Sequence, residues 1–248
     1  MKIILDPKKS IEENATRYYD KSKKAKRKLE GLNVAIENTK KKILKLDKAK
    51  PKEKEKLEDA PEKKWYMKFR YFTSSDGFLC IGGRDATTND IIVKKHADKG
   101  DLVFHTEMRG SPFFIIKSEG KEIPQSTKEE AAIATAAFSR AWKEELGTAE
   151  VYSIQPDQVK KELGLPKGSF MIHGKREYYK PVIKLYVTLN KEKYLECTPI
   201  KSEFTLKFGG KISDCAKAIR KQMSFKHKIN YPLDDVIRIL PGDCSLEN

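Results

Sequence analysis

The chain has 248 residues, with 51 lysine and arginine residues against 36 aspartate and glutamate residues, a formal net charge of +15. No apolar run approaches the roughly 18 residues of a membrane-spanning helix, so composition excludes an integral membrane protein. The apolar opening is too short for a signal peptide, and the four cysteines are scattered without a Cys-x-x-Cys pair. Both features predict a cytoplasmic protein with reduced thiols.

The amino-terminal part predicts a long coiled-coil helix (residues 1–50) followed by a charged linker (residues 51–64). About +9 of the net charge lies in these 64 residues. Apolar or small residues recur there at alternating spacings of four and three, which is typical of a coiled-coil seam. The seam positions are Ile11, Ala15, Tyr18, Ser22, Ala25, Leu29, Leu32, Ile36, Thr39, Ile43 and Leu46. Because the linker is too short and too charged to cover this seam, we expect a homodimer or a partner outside the chain.

The lysine-rich run from Lys21 to Lys28 has two interpretations. It is either a solvated helix face or a stripe that follows the phosphates of a nucleic acid. Composition does not separate the two, although a basic chain of this kind favours a polyanionic partner, with nucleic acid the first candidate.

From residue 65 to 248 the pattern changes to short strands, turns and helices. We expect strands that pair as hairpins at 64–72 with 78–81 and at 101–106 with 113–117, and further strands at 149–154, 169–173, 182–189 and 193–199. Helices are expected at 85–97, 131–146 (after a capping box at 126–129), 156–163, 213–225 and 232–240. Hairpin spacing dominates, so the predicted fold class is α+β, with a largely antiparallel sheet and packed helices, preceded by the long coiled-coil helix.

The motifs of several enzyme classes are missing. No phosphate-binding loop, dinucleotide fingerprint or Gly-x-Ser-x-Gly elbow occurs, and the four histidines have no metal-ligand spacing. We therefore expect a protein that is not an enzyme and has no cofactor and no metal.

Three polar clusters remain as candidate binding sites. In residues 82–90 (GGRDATTND) a glycine turn enters a helix, where backbone N–H groups and Arg84 could hold a phosphate; the alternative is a structural turn with Arg84 paired to an aspartate. In residues 104–111 a histidine, His105, lies at a strand end and could contact a ribose or base; the alternative is a hydrogen-bonded structural histidine. In residues 173–180 (HGKREYYK) basic and aromatic residues alternate, which suits phosphate contact with base stacking; the alternative is a charged hairpin loop.

Taken in order, the segments 82–90, 101–106 (DLVFHT) and 110–112 (GSP) resemble the carboxy-terminal RNA-binding domain of the NFACT family, the NEMF- and RqcH-type ribosome-associated quality-control factors. Residues 13–19 (ENATRYY) and the lysine-rich run are similar to the start of that family's middle coiled coil. The family's amino-terminal domain and helix-hairpin-helix region have no counterpart here, so we expect a carboxy-terminal fragment or a shortened relative.

The resemblance implies an RNA-binding and ribosome-binding module that contacts large-subunit rRNA and tRNA on stalled ribosomes. In full-length relatives it also implies recruitment of a ubiquitin ligase. The alternatives are a structural or protein-interaction module that uses the coiled coil, and an enzyme acting on RNA or nucleotides with His105 or His173 as the acid-base group. The predicted RNA-binding residues are Arg84, Asp85, Asn89, Lys94, Lys95, His105, Arg109, His173, Lys175, Arg176 and Tyr178.

Overall fold

A computed structural model describes residues 4–48, 58–108 and 110–247, and within them the side chains of all but residues 42–48 and 59. The chain divides into two units, residues 1–55 and residues 56–248. No helix in the described ranges combines the length and apolar character needed to cross a bilayer.

The first unit contains one long helix, α1 (Ile11–Lys48), as predicted. It begins with a capping box, because Ser10 Oγ accepts from the backbone N–H of Glu13 at 3.1 Å while the Glu13 carboxylate accepts from the Ser10 N–H at 2.9 Å. Asn14, which is buried, holds the preceding residues by accepting from the Asp6 N–H at 2.9 Å. Every seam position whose side chain is described is exposed, for example Leu29 at 62% and Leu32 at 60%.

The second unit is an α+β fold built on antiparallel sheets, which confirms the predicted class. Its helices are α2 (Ala86–Lys95), α3 (Gln125–Ala137), α4 (Arg140–Lys143), α5 (Ile212–His227) and α6 (Leu233–Ile239). Its strands are β1 (Glu58–Asp59), β2 (Arg70–Thr73), β3 (Leu79–Gly82), β4 (Leu102–His105), β5 (Phe114–Ile116), β6 (Val151–Ile154), β7 (Val159–Lys160), β8 (Met171–Ile172), β9 (Glu177–Tyr179), β10 (Leu185–Leu189), β11 (Leu195–Thr198), β12 (Phe204–Phe208), β13 (Ile229–Asn230) and β14 (Cys244–Leu246).

Two sheets organise this unit. The larger has six strands in the order β2-β3-β5-β4-β6-β9, and every neighbouring pair is antiparallel. The smaller has four antiparallel strands in the order β11-β10-β12-β14. The short pairs β7-β8 (antiparallel) and β1-β13 (parallel) complete the pairing, so residues 58 and 59 of the predicted linker form a strand.

Alternate residues of the six-stranded sheet supply two separate cores, because successive side chains of a strand point to opposite faces. One face, with Phe104 and Phe114, packs with α3, α5 and the four-stranded sheet. The other face, with Val103 and Ile115, packs with Ile92 of α2. This second face carries the candidate site.

Several predicted elements need correction. The helix predicted at 131–146 is interrupted after α3, because Ser139 Oγ donates to the Ala136 carbonyl at 2.7 Å and caps α4 by accepting from the Ala141 N–H at 3.1 Å. The capping box predicted before it does not form, since Ser126 donates to Asp76 at 2.6 Å instead.

Two further predicted elements are shorter than expected. Residues Trp65–Lys68 form a 3₁₀ turn, in which Trp65 stacks on His96 at 4.7 Å between ring centroids, and only β2 continues as a strand. The helix predicted at 156–163 is a single 3₁₀ turn (Pro156–Gln158), after which the chain pairs as β7. Strands β9, β12 and β14 had no prediction.

Candidate nucleic-acid interface

A cleft of about 620 Å³ opens on the α2 side of the six-stranded sheet. Its walls come from the start of α2, the end of β4 with the bend that follows, β6, the loop before β8 and the segment before β9. Three of these walls contain residues of the clusters predicted from the sequence, and Arg84, His105 and Arg176, one from each cluster, all line the same cleft. The convergence of the three clusters was left open by the sequence.

A row of rings runs across the strands, and three of its members, Tyr152, His105 and Phe113, line the cleft. In the strand register Tyr178 of β9 lies opposite Tyr152 of β6, and Tyr152 lies opposite His105 of β4. The Tyr178 and Tyr152 ring centroids are 5.9 Å apart, and those of Tyr152 and His105 are 6.1 Å apart. His105 in turn stacks on Phe113, with 4.0 Å between centroids and 6° between planes. Antiparallel pairing therefore aligns Tyr178, Tyr152 and His105 on one face of the sheet, and Phe113 packs against the end of this row.

The His105 ring is largely buried and held in one orientation. Its Nδ1 lies 3.0 Å from the carbonyl oxygen of Pro112, and a carbonyl only accepts, so Nδ1 donates and Nε2 is an acceptor. Burial lowers the pKa of His105 to about 4, against smaller opposing effects of the Pro112 carbonyl and Glu107. The imidazole is therefore neutral at physiological pH.

Arg176 forms one rim of the cleft. Its guanidinium lies over the Tyr152 ring at 4.6 Å from the centroid and donates from a terminal nitrogen to Glu107 Oε1 at 2.5 Å. Burial is the largest single effect and lowers the pKa of Arg176, but the opposite effects of Tyr152 and the Glu107 carboxylate outweigh it together, so the pKa is raised overall. The side chain stays 27% exposed, which leaves a positioned, charged plane at the rim.

Arg84 contributes to the cleft wall, but its guanidinium is engaged elsewhere. It donates to the carbonyl oxygens of Lys68 at 3.1 Å and Phe69 at 2.7 Å, and also to that of Arg238. Burial, followed by the neighbouring Arg70 and Arg238, lowers its pKa to about 9. In this arrangement Arg84 joins the start of α2 to the segment before β2 and to α6, through backbone carbonyls and not through an aspartate.

Asp85 and Asn89 shape the cleft from inside α2. Asp85 caps the helix by accepting from the Thr88 N–H at 2.8 Å, and that hydrogen bond lowers the pKa of its carboxyl. Asn89 is buried and joins α2 to the bend after β4, since its Oδ1 accepts from the Phe113 N–H at 3.1 Å. Because a carboxylate already caps α2, the helix start offers less to a phosphate than the sequence suggested.

The other predicted residues lie around the cleft or away from it. Lys94 and Lys95 are exposed near the end of α2, where Lys94 pairs with Asp90 at 2.8 Å. His173 lies outside the cleft and contacts Glu162 at 3.2 Å. Lys175 and Tyr178 flank Arg176 and are exposed. Arg109 lies outside the described residues.

Several lining residues were absent from the sequence prediction: Phe113, Tyr152, Lys167, Ser169 and Phe170. Tyr152 could have been found only from strand register. The glycines of the loop that contains Lys167 and Ser169 lack the spacing of a phosphate-binding loop, so this motif gave no signal for it. Gly168 shows why it reaches the cleft: its φ is +78°, and a Cβ there would lie 2.5 Å from Ala86 Cα, so the loop packs directly on the start of α2.

Comparison with known families gives two matches. The family described as NFACT protein RNA binding domain matches residues 68–174, which include most of the cleft. The family described as NFACT N-terminal and middle domains matches residues 1–72, which include α1.

Curated relatives carry the NEMF and RqcH names of the family that the sequence resembles. The chain is 47% identical over 123 residues to "Archaeal Rqc2 homolog aRqcH" of Methanocaldococcus jannaschii, covering 48% of this chain and 18% of that protein. It is 34% identical over 176 residues to "Ribosome quality control complex subunit NEMF" of Homo sapiens, covering 68% of this chain and 16% of that protein. The chain therefore spans less than a fifth of the length of these relatives.

A solved structure is also similar, that of the C-terminal of the fibronectin/fibrinogen-binding protein from Streptococcus suis. It is 21% identical, with a TM-score of 0.43, and the match covers 71% of this chain and 77% of that one.

Proposed function

The chain belongs to the NFACT family, and from this premise we propose that its globular unit is an RNA-binding and ribosome-binding module of a ribosome-associated quality-control factor. The module acts in the cytoplasm, contacts large-subunit rRNA and tRNA on stalled ribosomes, and performs no chemical step. In a full-length protein it works beside the parts that recruit a ubiquitin ligase.

One observation carries the proposal: three segments distant in the sequence supply His105, Arg84 and Arg176 to a single cleft. The cleft offers stacked rings, a positioned guanidinium and exposed basic and aromatic neighbours, Lys175 and Tyr178, which are the groups that bind unpaired RNA. One curated relative is named a ribosome quality control complex subunit and another an Rqc2 homolog, which supports the ribosome as the place where that RNA is met.

Within this proposal the predicted site residues take two roles. Lys175, Arg176, Tyr178 and His105 contact RNA directly, because their side chains are exposed or line the cleft. Arg84, Asp85 and Asn89 hold the wall that positions them, through hydrogen bonds within the fold. Lys94, Lys95 and His173 are assigned to the outer contact surface, and Arg109 stays a predicted RNA contact.

The test is equilibrium binding of the full chain to labelled single-stranded RNA across a salt series, followed by sedimentation with large ribosomal subunits that carry peptidyl-tRNA. We expect affinity to fall steeply with salt, because phosphate contacts release counterions. Replacing Lys175 and Arg176 with alanine should weaken binding about tenfold or more. Lys217→Ala, an exposed lysine on α5, is the matched control. Absence of RNA binding at low salt would refute the proposal.

A further inference from the structure

The chemistry of the cleft suits a base better than a phosphate. Among its described lining residues the cations Arg84, Lys167 and Arg176 stand against the carboxylates of Asp85 and Glu107, an excess of one positive charge. The Arg84 guanidinium keeps its positive charge, but its nitrogens donate to three backbone carbonyls, so few N–H groups are left for a ligand. A phosphate site needs a clear excess of donors and positive charge, and the cleft does not supply it.

Two polar atoms in the cleft have no hydrogen-bond partner among the described residues. One is His105 Nε2, an acceptor, because Nδ1 donates to Pro112. The other is the hydroxyl of Tyr152, a side chain only 2% exposed, which both donates and accepts. One acceptor and one hydroxyl, on rings whose centroids are 6.1 Å apart, suit the edge of a nucleobase, where an N–H group lies beside a ring nitrogen or carbonyl oxygen.

Planar groups complete the arrangement. The Arg176 guanidinium lies on the Tyr152 ring, and Phe170 meets Phe113 edge to face at 5.4 Å between centroids. The volume, about 620 Å³, is enough for one nucleotide unit. Guanidinium planes and aromatic rings are the surfaces on which proteins stack unpaired bases.

We propose that this cleft seats a single unpaired nucleobase, turned out of the bound RNA strand, which stacks at the Arg176 rim and presents its hydrogen-bonding edge to His105 Nε2 and the Tyr152 hydroxyl. This inference rests on the RNA-binding function proposed above and adds a ligand class for the cleft. The phosphates on either side of the base remain outside, near Lys175.

The test compares three ligands of equal length with the full chain: a single-stranded RNA, the same sequence as a duplex, and an abasic ribose-phosphate strand with the same number of phosphates. The single strand should bind at least tenfold more tightly than the abasic strand, because only it supplies bases at equal charge. It should also bind more tightly than the duplex, whose bases are paired and stacked.

Two conservative variants then locate the base. Arg176→Lys keeps the charge but loses the plane, and Tyr152→Phe keeps the ring but loses the hydroxyl. Each should reduce the preference for the single strand over the abasic strand at least threefold and leave abasic binding unchanged. The matched controls Arg220→Lys on α5 and Tyr186→Phe on β10 should preserve it.

The outcomes separate this inference from the function beneath it. If the chain binds the single and abasic strands equally, or if both variants keep the preference of the parent, the base seat is refuted and the RNA-binding function stands. If the chain binds none of the three ligands at low salt, the RNA-binding function itself is refuted.

Discussion

Helix α1 and the globular unit carry their basic residues in different ways. On α1 the lysines of the run from Lys21 to Lys28 are exposed, and they account for much of the net charge. In the globular unit several basic groups have fixed neighbours: Arg176 lies on Tyr152, and Lys117 pairs with the buried Asp101. The helix can attract a polyanion by charge alone, whereas the cleft can distinguish one ligand from another by the positions of its groups.

The largest contrast between the two regions comes from the same substitution made in each. A Cβ on Gly83 would lie 1.8 Å from Asn89 Oδ1. Gly83→Ala must therefore displace the Asn89 side chain and leave the Phe113 N–H buried without its acceptor, at a cost of about 3 kcal/mol in the free energy of unfolding. On α1, Gly31 has nothing within 4 Å of a Cβ, so Gly31→Ala should raise helicity, by about 1 kcal/mol in propensity. Denaturant unfolding and circular dichroism measure the two effects.

A double-mutant cycle identifies the cause at Gly83. Asn89→Ala removes the group with which the new methyl collides, so the double variant should be about as stable as Asn89→Ala alone. Gly147→Ala, with nothing within 4 Å, is the control and should change stability little. If the losses of stability from Gly83→Ala and Asn89→Ala simply add in the double variant, the close approach of the new methyl to Asn89 is not the cause.

The second contrast concerns pH and involves the cleft alone. Burial depresses the pKa of His105 to about 4, below its unfolded value of about 6.5, so at lower pH the unfolded chain binds the proton first. Above about pH 7 the neutral His105 therefore does not lower the free energy of unfolding. That free energy decreases as the pH falls from about 6.5 toward 4. Between pH 7.5 and 5 we expect a loss of about 2 kcal/mol attributable to His105.

The His105→Asn variant isolates this effect, because the lowered carboxyl pKa values of Asp85 and Asp90 remain in both proteins. The difference in unfolding free energy between parent and variant should change by about 2 kcal/mol over this pH range. Glu107 and Arg176, the charged neighbours of the ring, are unchanged in the comparison. A constant difference at all pH values would show that the ring titrates as an exposed histidine does.

The third contrast tests the open seam of α1. We expect the chain to pair through this seam with a second copy at high concentration, because Leu32 and its seam neighbours are exposed. Leu32→Ser should raise the dimer dissociation constant about tenfold or more. Val34, 61% exposed and off the seam, provides the matched control Val34→Ser. Light scattering over a concentration series measures both, and a monomeric mass throughout would contradict the pairing.

The sequence predicted local features best where a pattern is repeated or a turn is specific. The alternation of four and three predicted α1, and the hairpin expected at 64–72 with 78–81 is present as the β2-β3 pair. Prediction from the sequence failed where a side chain takes the hydrogen bonds that the backbone of a helix would make. Ser139 interrupts the helix after α3, and Gln158 donates to the carbonyls of His173 and Lys175 where a helix was expected.

The cleft, too, could be predicted only in part from the sequence. The Gly-Gly-Arg-Asp and Phe-His-Thr segments identified two of its walls, but the role of a side chain depends on neighbours far away in the sequence. Arg84 was predicted as a phosphate ligand from its place beside a helix start, yet the carbonyl of Arg238, 154 residues later, takes part of its guanidinium. Tyr152 could be recognised as a cleft residue only from its strand register with His105 and Tyr178.

The smallest contrast decides between the two interpretations of the α1 lysines. Replacing Lys23 and Lys26, one turn apart, with alanine should reduce the slope of log affinity against log salt by about 1.4 if both follow phosphates of single-stranded RNA. The preference for the single strand over the abasic strand should not change, because neither lysine belongs to the cleft. Lys201→Ala with Lys221→Ala, an exposed pair in the globular unit, provides equal loss of charge as the control. If the α1 pair changes the slope no more than this control, the helix face is solvated, and the positioned groups of the globular unit bind RNA without it.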